Sequence, residues 1–110
     1  MARIDKITFS FRAIAGTVLT GVQAVKVGTG GSIVLAGTAV GDAIGVTCVA
    51  GTITAGRPVS VLKKAEIVEF GGSAGSAYFS VGGGTVGLTP ATGVKVGHTV
   101  EGGRLIVSLL

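Results

Sequence analysis

The sequence is poor in the residues from which most catalytic and metal sites are built. Among 110 residues it has one histidine, one cysteine, five carboxylates and no tryptophan. A metal site made of several His, Cys or carboxylate ligands has little to draw on, so we expect neither a metal nor a cofactor. The single cysteine cannot form an internal disulfide, and the fold therefore does not depend on an oxidising compartment. We expect synthesis in the cytoplasm.

Charge and proline are also scarce, whereas glycine and apolar residues are abundant. Only 13% of the residues are charged and two are proline, against 21 glycines and a hydrophobic fraction of 47%. A disordered linker would be more polar, and collagen would have glycine at every third position. A helical bundle is disfavoured because each interior glycine costs about 1 kcal/mol relative to alanine. The composition predicts a compact chain with many tight turns.

The net charge of +4 is a thin excess, and only the N-terminus concentrates it, at Arg3, Lys6 and Arg12. A nucleic-acid binder typically has a basic stripe with interleaved aromatic residues, so we expect no direct contact with nucleic acid. The uncharged stretch 71–94 is long enough to span a bilayer. Its glycines, hydroxyl residues and Pro90 indicate a run of turns, and exposed backbone is prohibitive in lipid. We therefore expect no membrane contact.

Glycine clusters separate short Val- and Ile-rich segments at a spacing typical of an all-β sandwich or barrel. Two predicted hairpins join 22–27 to 32–36 and 77–81 to 85–88. A glycine cluster at 37–41 predicts a further turn. Longer strands are predicted at 42–49 and 59–70, with a bulge or corner near 65–67 and Pro58 at a strand start. We predict one β domain over residues 13–110.

The C-terminal segment predicts a hairpin in a defined register. A two-residue loop at Gly102 and Gly103 would pair Glu101 with Arg104 beside the turn and His98 with Val107. This register also pairs Val100 with Leu105 and Val96 with Leu109, and it places His98 on the apolar face.

Residues 1–12 are predicted to form an extended N-terminal arm. Ile7, Phe9 and Phe11 alternate with polar residues, which indicates a strand. The segment is either an edge strand of the domain's own sheet or an arm that adds to a partner's sheet edge. The candidate partner-contact residues are Arg3, Lys6, Ile7, Phe9, Phe11 and Arg12.

Catalytic chemistry is hard to build from the residues of this sequence. Cys48 and His98 could form a nucleophile and base, but a core or interface histidine and a buried cysteine are the favoured interpretations. Glu66 and Glu69, three apart in a strand, point to opposite faces. The glycines at 82–84 lack the following Lys-Ser/Thr of a phosphate-binding loop. We expect no enzymatic activity.

Four segments in order carry a family resemblance: GVTCVAG (45–51), AGRPVSV (55–61), EIVEF (66–70) and GHTVEGGRLIV (97–107), with a Tyr-containing hairpin near Tyr78 before the last. In these strings the chain resembles bacteriophage capsid decoration proteins, also called cement or head-stabilising proteins. The likeness is greatest to those of tailed phages that infect actinobacteria. It covers roughly the last two-thirds of the chain.

The resemblance implies a small antiparallel β-barrel or β-tulip-like domain on the capsid exterior of a virion, made in the host cytoplasm. Its implied partners are the phage major capsid protein and two further copies of itself, in a homotrimer at local threefold positions. Such a protein clamps adjacent capsid subunits and stabilises the head, and its N-terminal arm often reaches onto the capsid. The alternative is a glycan-binding or adhesive β-domain on a virion or tail, with Tyr78 and Phe79 as the candidate aromatic platform.

Overall fold

The structure is a computed structural model that describes residues 2–36, 43–71, 74–81, 83–88 and 94–109. The predicted turn at 37–41 and the predicted strand start at Asp42 lie outside the described residues. The described chain forms strands joined by turns, two of them 3₁₀ turns at Thr29–Gly31 and Glu101–Gly103. The strands are β1 (Arg3–Ile14), β2 (Leu19–Val27), β3 (Ile33–Leu35), β4 (Gly45–Ile53), β5 (Pro58–Val68), β6 (Ala77–Ser80), β7 (Val86–Gly87), β8 (Lys95–Val100) and β9 (Arg104–Ser108).

The nine strands form one antiparallel sheet in the order β3-β2-β4-β5-β9-β8-β6-β7, and β1 pairs with the remaining edge of β5. The sheet curls into a half-barrel, which confirms the predicted all-β fold. The curl brings the turn between β6 and β7 next to the end of β3. There the N–H of Gly84 donates to the carbonyl of Ala36 at 2.9 Å. The carbonyl of Gly84 accepts the N–H of Ala24 at 2.8 Å. Gly84 has a φ of 79°, a conformation that glycine adopts without penalty.

Both faces of the sheet are packed. Neighbouring residues of a strand point to opposite faces, and on β5 Leu62 packs in one core while Val61 packs in the other. The first core draws on strands from β2 to β9 and fills the curl; its members are Ala24, Ala36, Ala43, Val46, Leu62, Ala65, Ile67, Tyr78, Val96, Leu105, Val107 and Leu109. The second core lies on the other face and consists of Ala15, Leu19, Val25, Ile33, Val49, Val59 and Val61.

A bulge in β5 explains why that strand changes face. Ser10 of β1 lies opposite Leu62 and Phe9 lies opposite Lys64, so that Lys63 is the extra residue. After it, the residues facing the first core change from Leu62 to Ala65 and Ile67. The sequence predicted a bulge or corner near 65–67, and the structure places it two residues earlier. The predicted strand start at Pro58 is confirmed.

Both predicted internal hairpins are confirmed. β2 pairs with β3 across the 3₁₀ turn Thr29–Gly31. β6 pairs with β7, and this hairpin contains Tyr78.

The predicted register of the C-terminal hairpin is wrong by one residue. The turn has three residues, Glu101–Gly103, and Val100 lies opposite Arg104. His98 consequently lies opposite Ile106 rather than Val107. The faces of β8 also depend on a bulge in that strand. Tyr78 lies opposite Gly97 and Phe79 lies opposite Lys95, so Val96 is an extra residue. A bulge reverses the alternation of faces, so His98 is exposed and not on the apolar face.

Gly97 is required by the close approach of β8 and β9. A Cβ atom at this position would lie 1.9 Å from the carbonyl oxygen of Ile106. The contact is with backbone, so neither strand can relieve it by a rotamer change. A glycine inside a strand often marks such an approach.

Candidate interaction surface

β1 is the most exposed long strand of the sheet. All of its twelve residues are exposed or half-buried. One edge pairs with β5 from Arg3 to Ile14, and among the described residues no strand pairs with the other edge. An unpaired edge of this length presents a row of N–H and C=O groups that can accept another strand.

The structure places all six sequence-predicted contact residues in β1 but does not put them on one face. Paired residues of antiparallel strands point to the same side. Phe9 lies opposite Lys64, Phe11 opposite Val61, and Ile7 opposite Ala65. Because Val61 faces the second core and Ala65 the first, Phe9 and Phe11 share one face and Ile7 lies on the other. A bulge at Thr8 is the cause, and it breaks the simple alternation on which the sequence pattern relied.

The three apolar residues also differ in exposure. Ile7 is 47% exposed and Phe9 is 53% exposed. Phe11 is half-buried and packs against the second core. Phe9 and Ile7 are therefore available to a partner, one on each face of the strand, whereas much of the Phe11 side chain already stabilises the domain.

The three basic residues of β1 have different local partners. Arg3 forms an ion pair with Glu69, with Nη1 and Oε1 2.6 Å apart. Lys6 lies opposite Glu66 in the ladder. Arg12 donates from Nη1 to the hydroxyl of Ser60 at 3.2 Å. Arg3 thus ties the start of β1 to the residue that follows β5. The hydrogen bond from Arg3, together with the N-terminal amine, lowers the pKa of Glu69 to about 2.

Glu66 and Glu101 share one partner, Arg104. Arg104 donates to Glu66 at 2.6 Å and also pairs with Glu101 across the 3₁₀ turn, which confirms the opposite-charge pair predicted beside it. These contacts raise the pKa of Arg104, and a backbone hydrogen bond together with Arg104 lowers the pKa of Glu101. Within the described residues Lys6, Arg12 and Lys64 form no ion pair. β1 also carries the carboxylate of Asp5, so the ribbon of β1 and β5 has a net positive charge from Lys6, Arg12 and Lys64 against Asp5.

Lys64 belongs to the candidate surface, although the sequence did not indicate it. In the sequence Lys63 and Lys64 are an isolated basic pair within a long strand. Only the pairing of β1 with β5, between residues far apart in the chain, sets Lys64 against Phe9. The local pattern contains no signal for such a pair.

The structure separates the two residues of the conceivable catalytic pair. Cys48 lies on β4 and packs half-buried against the first core, and burial raises the pKa of its thiol. His98 lies on the exposed face of β8. β5 and β9 stand between the two strands. Cys48 and His98 therefore do not form a nucleophile and base, and His98 is not a core residue of this domain.

The aromatic platform considered for glycan binding is not formed by Tyr78. The Tyr78 side chain is 5% exposed and packs edge to face on Phe70, with ring centroids 5.0 Å apart. Phe79, its neighbour on β6, is half-buried. A sugar needs an exposed ring face, and Tyr78 offers none.

Metal-ligating clusters and long apolar helices are both missing from the described residues. These residues contain no cluster of three or more His, Cys, Asp or Glu side chains able to hold a metal ion. In the same part of the chain, no helix has the length and apolar character needed to cross a membrane.

The chain was compared with protein families, with curated proteins and with solved structures, and only the solved structures gave matches. No family model matches the chain, and no curated protein matches it. Among solved structures, the fold is similar to that of a chain from Mycobacterium phage Patience, with a TM-score of 0.81 and 19% sequence identity. The match covers 97% of this chain and 95% of the other. At this identity the similarity establishes a shared fold across almost the whole of both chains.

Proposed function

We propose that the chain is a structural virion protein of a bacteriophage, a decoration or cement subunit that binds the capsid exterior and stabilises contacts between major capsid proteins. The observation that carries the proposal is the full-length structural match to a chain of an actinobacterial phage. The four sequence segments between residues 45 and 107 resemble decoration proteins of phages that infect the same group of bacteria. The structural match supports a phage protein of this fold, and the sequence resemblance supports the decoration role.

β1 is the proposed capsid-binding surface. It is long, exposed and unpaired on one edge within the described chain. Its backbone can add to a strand of the major capsid protein, while Ile7 and Phe9 supply apolar contact area. The basic residues Lys6 and Arg12 favour an acidic capsid surface. No catalytic step, cofactor or direct nucleic-acid contact belongs to this function.

Self-association is part of the proposal. The described chain exposes large apolar side chains outside the centre of β1, among them Ile14, Val18, Val27 and Leu88, each about half exposed. Apolar surface of this kind is typical of subunit contacts when it is contiguous. We propose a homotrimer at local threefold positions of the capsid. Light scattering of the isolated protein should give three times the mass of the chain, and a monomer mass at high concentration would contradict a preformed trimer.

The decisive experiment is a cryo-EM map of the phage particle that contains this chain. The expected result is density for the half-barrel on the outside of the capsid, repeated over the lattice. A lattice without that density, or density at the tail only, would refute the decoration role. Adding the purified protein to capsids that lack it should restore the density and raise the temperature at which the capsids open.

The structure also determines how β1 should be tested. Deleting residues 1–12 would remove the strand that pairs with β5 and would expose a second sheet edge. Loss of binding by that variant would not separate a missing contact from a damaged fold. Single substitutions of exposed β1 side chains, each checked by thermal unfolding, are the appropriate variants.

A further inference from the structure

The edge of β5 opposite β1 is shared by two strands that diverge. β4 meets this edge at one residue pair, Val46 with Leu62. β9 joins the same edge from Lys64, which lies opposite Ser108, and the N–H of Leu109 donates to the carbonyl of Lys63 at 2.8 Å. Between the start of β4 and the end of β9 a cleft of about 560 Å³ opens. We call it the fork cleft; it is lined by Ala43, Ile44, Lys63, Val94, Lys95, Ser108 and Leu109.

The walls of the fork cleft are fixed by backbone hydrogen bonds. The N–H of Ile44 donates to the carbonyl of Val25 at 2.8 Å, and the carbonyl of Val94 accepts the N–H of Ser80 at 2.9 Å. Leu109, in the same wall, is 5% exposed. The cleft therefore exists before any ligand arrives, so binding would not have to order its walls. Its volume is in the range of ordinary ligand sites.

Each polar side chain that lines the fork cleft can donate a hydrogen bond to an anion. Lys63 and Lys95 line it together with the hydroxyl of Ser108, and none of the described lining residues is acidic. Within the described chain neither lysine forms an ion pair, and the ion pairs of the glutamates are with Arg3 and Arg104. Two ammonium groups beside apolar walls fit an anion that is attached to an apolar group.

We propose that the fork cleft binds the carboxylate of an Asp or Glu side chain that stands next to an apolar residue on an extended segment of a partner protein. The carboxylate accepts hydrogen bonds from Lys63, Lys95 and Ser108. Hydrogen bonds between charged groups are stronger than those between neutral groups. The neighbouring apolar side chain packs on the half-buried side chains of Ile44 and Val94. The assignment of the partner to the phage shell rests on the proposed function, whereas the chemistry of the cleft does not.

The test uses the full chain, labelled with ¹⁵N, and the probe N-acetyl-Leu-Glu-amide. Its neutral match, N-acetyl-Leu-Gln-amide, is titrated in parallel. The expected result is a saturable shift of the amide signals of Lys63, Lys95 and Ser108 with the Glu peptide only. Added salt should weaken it, because screening reduces the attraction between exposed charges. Equal shifts with the Gln peptide, or the absence of saturation, would overturn the proposal.

Three lysine variants complete the test. Lys63→Met and Lys95→Met should each weaken binding of the Glu peptide by about threefold, the effect of removing one exposed ion pair. Lys64→Met is the matched control, since Lys64 is the next residue of β5 and lies outside the lining of the fork cleft. It should bind the peptide as the wild type does. Equal weakening by Lys64→Met would show a diffuse charge effect and refute a specific site.

Capsids that lack the chain separate this proposal from the proposed function. If the wild type does not occupy such capsids, the decoration role fails, and the peptide titration still decides on the cleft. If the wild type occupies them and the double variant Lys63→Met/Lys95→Met occupies them less, the cleft contacts the shell. Full occupancy by the double variant would refute a shell protein as the partner.

Discussion

Phe9→Ala should weaken binding to capsids without weakening the fold, whereas Phe11→Ala should do the reverse. Phe9 is 53% exposed. A phenylalanine buries about 200 Å² when fully covered, so roughly 100 Å² of Phe9 remains for a partner to cover. At about 25 cal/mol per Å² this area corresponds to about 2.5 kcal/mol, or roughly a 50- to 100-fold loss of affinity.

The matched variant is Phe11→Ala, two residues along the same strand. Phe11 is half-buried against the second core, so its truncation should cost about 2 kcal/mol of stability, less than the usual cost of a fully buried ring. That loss lowers Tm by roughly 10 °C in a domain of this size. Phe9→Ala should change Tm by only a few degrees.

The assay measures both quantities for both variants. Affinity is measured by co-sedimentation of purified protein with capsids that lack it, over a range of protein concentrations. Stability is measured by thermal unfolding of the free protein. An unchanged affinity for Phe9→Ala would refute β1 as the contact surface. A large drop in its Tm would show that the ring packs within the domain.

Three further variants test the described contacts. Gly97→Ala places a Cβ against the Ile106 carbonyl and should destabilise the fold by about 3 kcal/mol. At Gly87 the nearest atom to a Cβ is a methyl group of Val81 at 3.2 Å, so Gly87→Ala should cost much less. Thermal unfolding measures both. Glu69→Gln should remove part of the pH dependence of the stability. The pKa of Glu69 is ordinarily 4.5 and is about 2 in the folded protein. The ion pair therefore stabilises the fold fully above pH 4.5, and its contribution falls as the pH drops towards 2. The Tm difference between wild type and Glu69→Gln should therefore shrink over that interval, and a constant difference would contradict the ion pair. Cys48, whose thiol pKa is raised by burial, should react slowly with iodoacetamide in the native protein and rapidly in urea, and equal rates would contradict its packing in the first core.

Local patterns predicted the hairpins but not their exact registers. The glycines at 28–31 and 102–103 marked turns correctly, since few other residues tolerate the positive φ of Gly30, Gly31 and Gly103. The C-terminal register failed because a Gly-Gly pair is compatible with a two-residue loop and with the 3₁₀ turn that forms. The bulge at Val96 has no local signature, because it depends on how β6 and β9 flank β8.

The candidate surface was predictable in composition and not in geometry. Alternation in residues 7–11 identified a strand, and either pairing partner satisfied that pattern. Its pairing with β5 joins residues more than fifty positions apart, and this pairing places Ile7 and Phe9 on opposite faces and sets Phe9 opposite Lys64. The fork cleft depends in the same way on β4 and β9 sharing one edge of β5. Neither relationship can be read from neighbouring residues.

The fold converts a thin charge excess into two concentrated positive surfaces. Over the sequence, nine basic residues against five acidic ones give only +4. Arg3 and Arg104 bind Glu69, Glu66 and Glu101, so these contacts hold two positive charges beside three negative ones. The remaining positive charge includes Lys6, Arg12 and Lys64 on the β1 ribbon and the two lysines of the fork cleft, on either edge of β5. At the two contact surfaces proposed above, this charge should raise the rate of encounter with an acidic partner. Association should then slow as salt rises, while burial of Phe9 against the partner should keep dissociation slow.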